Sequence, residues 1–488
     1  MITGSPDLNA ARRAAELERA GNDTTDVLVI GGGITGVGVA LDAAARGLSV
    51  TLVEAEDLAF GTSRFSSKLV HGGLRYLATG DVPTARESAM ERHLLMTVIA
   101  PHLIRPLGQL LPFAPGISIR QRTAGAVGMA LGDLLRMRAG TPRRTLPAPR
   151  PVTARTARAL VPALSPRELR GGMLSFDGQL VDDAALVATV ARTAAAHGAR
   201  ILTRVRALAL HDAGATAEDA LTGRRLELRA RSVINATGAW AGTLDDDITI
   251  RPSRGTHIVL DASDLGRASA ALTIPHEGSI SRFVFALPQR DGRVIVGLTD
   301  EDAPGPVPDV ATPTEPEIAF LLDNLNRVVD VPITRERVLG AFAGLRPLVD
   351  TGADATADIS RRHLVTTSAG GFVDVLGGKL TTYRRMAEDA VDLAVATRRL
   401  DAPPSRTAGL RLVDRRTPDG VARTASVPLV DGVALTRADV EYAVRAEGAM
   451  TTADVLDRRT RVGLVDDDRA RCESAVDEIV TATLADLV

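Results

Sequence analysis

The chain is poor in aromatic residues, and poorer still in cysteine and lysine. One cysteine, Cys472, among 488 residues excludes an intramolecular disulfide framework and a cysteine-built metal site, and suits a reducing compartment. Nine Phe, three Tyr and one Trp are too few for the platforms on which single-stranded nucleic acid stacks, and a net charge of −2 gives a duplex no general attraction. Neither nucleic acid nor a metal is expected. No apolar run reaches the roughly 18 residues that a membrane-spanning helix needs. Residues 1–24 carry charges where a secretory leader needs an apolar centre, so they read as an amphipathic helix and a linker. The protein is therefore expected in the cytoplasm, soluble or peripheral on the inner face of the cell membrane. Its length exceeds what one core covers and implies two or three domains. Of 58 basic residues only Lys68 and Lys379 are lysine. Arginine replaces lysine as a solvated charge but not as a compact ammonium donor in a tight site. Both lysines sit beside glycine-rich motifs, which makes them candidate functional residues.

What is present is concentrated first in residues 26–77. The β-branched run Val27 to Ile30 predicts a buried parallel strand. Gly31, Gly33 and Gly36 then give G-x-G-x-x-G, followed by a helix over 34–45, a second strand over 48–53, and Glu54 about 20 residues on. In this fingerprint the first glycine turns the chain, the second admits a pyrophosphate, and the third packs helix on strand. Ile34 and Thr35 open the helix towards the anion, and Glu54 stands where a ribose is held. Strand, turn, helix, strand and acid together predict a dinucleotide-binding fold. The loop 61–77 is dense in hydrogen-bond donors, with Thr62, Ser63, Ser67, Lys68 and His71 among them.

Two later segments return to the same ligand. A strand ending in SVINATGAW (232–240) carries Ala236, Thr237 and Gly238, where a small residue admits a close approach. A short strand over 372–376 meets Gly377, Gly378 and Lys379, then a helix beginning Leu380, Thr381, Thr382. Free N–H groups, a helix dipole and one ammonium converge there, as suits the pyrimidine end of a flavin. Three chain-distant cofactor segments favour an enclosed FAD over a nicotinamide. Elsewhere the periodicity predicts a helix over 81–102, a proline-broken loop or edge strand over 101–115, a helix over 180–197, a strand over 200–210, and antiparallel strands across 251–300. A helix is predicted over 315–329, and a strand over 338–347 entering a Gly-Leu-Arg-Pro turn. Residues 403–423 read as a linker, and 434–488 as helical. Residues 117–150 hold seven arginines and one acid around a weakly apolar centre, which is either a solvated helix face or a face for anionic lipid.

The segment SSKLVHGGLRYL, Ser66 to Leu77, together with the GTHIV, GLRP and GGKLTTYR segments, resembles the FAD-dependent glycerol-3-phosphate dehydrogenase family from about residue 26 to the end. The resemblance implies an α/β fold with a Rossmann-like FAD-binding domain of glutathione-reductase/D-amino-acid-oxidase type (24–98, 172–247 and 339–400). An antiparallel-sheet substrate domain (99–171 and 248–338) and a C-terminal helical domain (428–488) would complete it. It implies that Gly72 and Gly73, with the rest of their loop, cover the flavin. It also implies that Arg75, Tyr76, Arg346 and Arg361 bind substrate, and that His257, Arg346 and Lys379 are catalytic. The implied reaction is oxidation of sn-glycerol 3-phosphate to dihydroxyacetone phosphate by hydride transfer from C2 to flavin N5, with a membrane quinone as acceptor and a homodimer as candidate assembly. An oxygen-using oxidase, a flavin amine oxidase and a phosphate-ligand sensor remain open. The linker before the C-terminal domain is shorter than the family's.

Overall fold

The computed structural model describes residues 4–73, 76, 80–349, 362–414 and 427–487. Helix α1 (Ala10–Asn22) starts on Asn9, whose side chain accepts from the Arg12 N–H, and leads into β1 (Thr24–Ile30). Helix α2 (Ile34–Ala45) begins directly after the glycine turn, and β2 (Val50–Glu54) follows. Next come β3 (Leu69–Val70), α3 (Val82–Leu94), β4 (Ile104–Pro112) and α4 (Ile119–Arg138). After β5 (Arg150–Val152) and β6 (Gly172–Leu180) the chain enters α5 (Asp183–Ala196), buried along its whole length except Ala185. Strands β7 (Arg200–Thr203), β8 (Val205–His211), β9 (Gly214–Asp219) and β10 (Arg224–Asn235) close this part. Then follow β11 (Ile250–Asp261), β12 (Ala271–Pro275), β13 (Phe283–Pro288), β14 (Arg293–Gly297), β15 (Glu301–Asp302), α6 (Glu315–Asn326) and β16 (Gly340–Val349). The last part holds β17 (His363–Thr367), β18 (Val373–Gly377), α7 (Tyr383–Arg398), the hairpin β19 (Pro428–Val430) and β20 (Val433–Thr436), α8 (Arg437–Ala446) and α9 (Asp466–Ala485).

Two sheets carry the site. The first runs β17-β18-β10-β1-β2-β7, and within it β18, β10, β1, β2 and β7 are parallel. Its strands are apolar on both faces, since α2, α5 and α7 cover one side and α1 with the β8–β9 ribbon the other. Parallel strands all end at one edge, so the turns after β1, β2, β10 and β18 meet there, where ligands of open α/β sheets bind. The second sheet runs β15-β11-β14-β13-β12-β4-β6-β3, with β16 on β11, and is mostly antiparallel over a core closed by α6. The C-terminal helices enclose a small core of their own around Cys472. Among the described residues no helix is long and apolar enough to cross a membrane.

Among the described residues the expected elements form, with four differences; residues 415–423 of the expected linker lie outside the described residues. The segment read as a loop or edge strand is β4, between β12 and β6 in the interior of the sheet. Its prolines are tolerated because β12 pairs with it only at Gln109 and Leu110, so Pro106 loses no ladder bond on that side. The strand expected over 200–210 is two strands, broken at Arg204, whose φ of +58° turns the chain out of the parallel sheet. Arg346 lies within β16 rather than in a turn. The C-terminal region opens with a hairpin, not a helix.

Candidate active site

The strand ends enclose a cavity of about 560 Å³. Gly31, Gly33, Ile34 and Thr35 form one wall, Ala236, Thr237 and Gly238 a second, and Gly378, Lys379, Leu380 and Thr381 a third. Glu54, Thr62, Ser63, Ser67, His71, Tyr76, His257 and Arg346 also reach it. The glycine turn is under real steric constraint. Gly31 has φ +110°, and a Cβ on Gly36 would stand 1.9 Å from the Gly31 carbonyl oxygen, so the third glycine seats α2 on its own turn. Glu54 Oε2 accepts from the Gly32 N–H at 2.6 Å, and its Oε1 from Glu56 N–H at 2.8 Å. Burial pushes the Glu54 carboxyl up, against the pull of these donors. The second and third walls are tied through Asn235. Its amide donates to Asp374 on β18 at 2.9 Å, and its carbonyl accepts from the Thr237 hydroxyl at 2.7 Å. Burial raises Asp374 to about 7, helped by the neighbouring Asp245.

A further wall is built on β11 and β16. His257 is buried, its ring stacked on Phe342 at 4.9 Å with an 8° interplanar angle, because the two residues are cross-strand partners. Its Nε2 lies 2.8 Å from Ser67 Oγ. On the other side Gly297 leaves room, since a Cβ there would be 2.1 Å from the imidazole Cδ2. Burial holds His257 down at about 3, reinforced by Lys68 and Arg346, so the ring is neutral at ordinary pH. Arg346 is aimed by Asp300 Oδ1 at 3.1 Å, Ser253 Oγ at 3.2 Å and the Thr299 carbonyl at 3.0 Å. Lys379 hydrogen-bonds Ser88 Oγ and stands 4.2 Å from the Tyr76 ring centroid.

Not every expected residue reaches the cavity. Gly36 packs beneath the turn. Lys68 is 1 % exposed and bonds Asp183 Oδ2 at 2.8 Å and the Arg64 carbonyl at 2.6 Å, with its ammonium 5.2 Å from the Phe342 ring centroid. Its ammonium therefore acts on His257 through space rather than on a ligand. Gly72 makes room for Arg92, which pairs with the cavity-lining Asp177 at 2.7 Å, and Gly73 supplies a turn with φ +80°. Thr382 is buried with its hydroxyl on the Lys379 carbonyl. Arg75 and Arg361 lie outside the described residues. Sequence reasoning did not find Phe342, Ser253, Asp300, Asp183 or Asp177, whose roles come from partners distant in the chain.

The comparisons agree with this architecture. Residues 26–384 match the FAD dependent oxidoreductase family, and residues 410–486 match the C-terminal domain of alpha-glycerophosphate oxidase. The chain is 49% identical to glycerol-3-phosphate dehydrogenase 1 of Mycobacterium tuberculosis over 514 residues, 99% of this chain and 100% of that one. It is 35% identical to the mitochondrial glycerol-3-phosphate dehydrogenase of Bos taurus, across 96% of this chain and 71% of that one. Among solved structures, the glycerol-3-phosphate dehydrogenase of Bacillus halodurans complexed with FAD shares the fold with a TM-score of 0.69, at 24% identity, across 98% of this chain and 97% of that one. With family matches over nearly its full length and glycine-rich turns at the ends of the parallel strands β1 and β18, the chain belongs to the FAD-dependent glycerol-3-phosphate dehydrogenase family.

Proposed function

We propose that this oxidoreductase oxidises sn-glycerol 3-phosphate to dihydroxyacetone phosphate and delivers the electrons to a membrane quinone. The donor set fits FAD: one cavity holds the helix N-terminus after Gly33, the acid Glu54, the Ala236–Gly238 turn and the Lys379 ammonium. When bound, FAD would supply the two-electron acceptor for the hydride from C2. The observation that carries the reading is the juxtaposition, on one wall, of a neutral buried His257 with Arg346. In this reading the Ser67 hydroxyl gives its proton to His257 Nε2 as it receives that of the substrate C2 hydroxyl, so the proton ends on the imidazole. Arg346 binds the phosphorylated substrate, and Arg75 and Arg361 are assigned to its phosphate with it. Lys379 stabilises the negative charge that develops at the far wall. A steady-state comparison of sn-glycerol 3-phosphate, glycerol and neutral amino acids with a dye acceptor tests this. Only the phosphorylated alcohol should turn over; turnover of an amino acid would make the chain an amine oxidase instead.

The quinone acceptor is supported by α4. Its inner side, Gly125, Gly128 and Met129, lines the cavity, while Ile119, Val127, Leu131, Leu134 and Met137 are exposed beside the exposed arginines 120, 138, 143 and 144. An apolar strip flanked by cations suits an anionic lipid surface. Leu131→Glu should weaken flotation with anionic vesicles and lower quinone reduction while sparing dye reduction. Stoichiometric peroxide in place of quinone reduction would identify an oxidase.

A further inference from the structure

The loop after β2 is held between the cavity and the C-terminal helices. Asp57, three residues beyond Glu54, is 1 % exposed and accepts from Arg458 Nε at 2.8 Å and from Arg459 Nη1 and Nη2 at 2.9 and 2.8 Å. Arg458 also bonds Asp454 one turn back in its own segment. Asp454 receives Arg204 Nη2 at 2.6 Å, and Arg204 Nη1 reaches Glu56 Oε2 at 3.0 Å. Three guanidinium groups and three carboxylates thus form one mostly buried chain from the C-terminal segment to residues 56 and 57. The opposite face of the same loop is cavity wall, through Glu54, Glu56, Phe60 and Thr62. The guanidinium of Arg458 stands 5.7 Å from the Phe60 ring centroid, and Arg64 donates to the Asp457 carbonyl at 3.4 Å.

A buried ion-pair network is a poor way to gain stability, because desolvation offsets most of its attraction and apolar side chains of similar shape do as well. Its distinctive property is directionality: a bidentate guanidinium fixes a carboxylate in both position and orientation. Here the carboxylate belongs to the loop that carries the cavity wall beside the ribose acid. We propose that Arg458 and Arg459 are positioning residues which clamp loop 55–62 onto bound FAD, so that the C-terminal domain controls retention of the cofactor. Release of flavin then requires this ion-pair network to open, and docking of the C-terminal helices is coupled to cofactor occupancy.

Flavin release from the holoenzyme tests the proposal, read as the recovery of flavin fluorescence after dilution well below the unfolding temperature. Asp57→Asn and Arg459→Met should each release FAD at least tenfold faster than the parent. Asp468→Asn is the control, since Asp468 pairs with Arg293 of the second sheet and ties α9 to a region without the clamp. It should stay within twofold of the parent. If a single variant does not fold, the apolar exchange Asp57→Leu with Arg459→Met replaces it. That pair removes the charges together, and should keep the fold while releasing flavin at the faster rate. Release within twofold of the parent in the clamp variants would overturn the proposal. Equal acceleration in Asp468→Asn would do so too, since it would mark general loosening rather than a clamp.

Discussion

A base held neutral by its surroundings has a kinetic signature. An ordinary imidazole, with a pKa of about 6.5, is about ten-to-one protonated at pH 5.5, and a reaction that needs its neutral form would lose about tenfold in rate between pH 7.5 and 5.5. His257 is held at about 3, first by burial and then by the cations Lys68 and Arg346. At pH 5.5 only about one molecule in 300 would carry the extra proton. Since kcat/KM reports the free enzyme, it should be flat over this range once substrate is expressed as the phosphate dianion, whose own pKa is near 6. The assay is anaerobic flavin reduction across pH 5.5–8, for the parent and for His257→Gln, which should be slower by about 10²–10⁴-fold at every pH. A tenfold acid loss with a midpoint near 6.5, absent in the variant, would refute the assignment of a neutral base. The same shift acts on stability. The unfolded histidine binds its proton near 6.5 and the folded one only near 3, so stability is lost as pH falls through that window, by at most about 1.4 kcal/mol per pH unit. His257→Gln removes that component.

Three further outcomes follow from single contacts. Gly36→Ala places a Cβ 1.9 Å from a backbone oxygen that has no room to yield, so the purified variant should carry about tenfold less flavin per chain, read from its absorbance ratio. Arg346→Met removes a charged donor aimed by Asp300 and Ser253. It should cost kcat/KM about 1.5–3 kcal/mol, or roughly 10- to 150-fold, with Arg346→Lys restoring only part because an ammonium lacks the fork. Lys379→Met should slow flavin reduction more than it weakens substrate binding in rapid-mixing experiments, and an unchanged reduction rate would remove Lys379 from the chemistry.

The parts of the site legible in the sequence are those written in one stretch of chain. Gly31 to Glu54 encodes strand, turn, helix and acid at fixed spacing, and all four form where expected. Gly377, Gly378 and Lys379 likewise announce a turn, since both glycines adopt positive φ, at +67° and +74°. What was not legible depends on pairing across the chain. Phe342 meets His257 only because β16 lies antiparallel to β11 in one register. The scarcity of lysine points Lys68 to the cofactor, yet its partner Asp183 is 115 residues away and holds it out of the cavity. Arg346 reads as a turn residue from its Gly-Leu-Arg-Pro context. The long register with β11 overrides that local preference and carries the strand through Pro347 to Val349. The clamp between Asp57 and Arg459 spans 402 residues and has no local motif at all.

In the proposed reading one cavity binds FAD and a phosphorylated secondary alcohol in position for hydride transfer. Anaerobic titration of the purified holoenzyme with sn-glycerol 3-phosphate, following the oxidised flavin band, tests it most directly. Bleaching should end near one equivalent per flavin, with dihydroxyacetone phosphate formed in step. A flavin that stays oxidised through a large excess of substrate would contradict it.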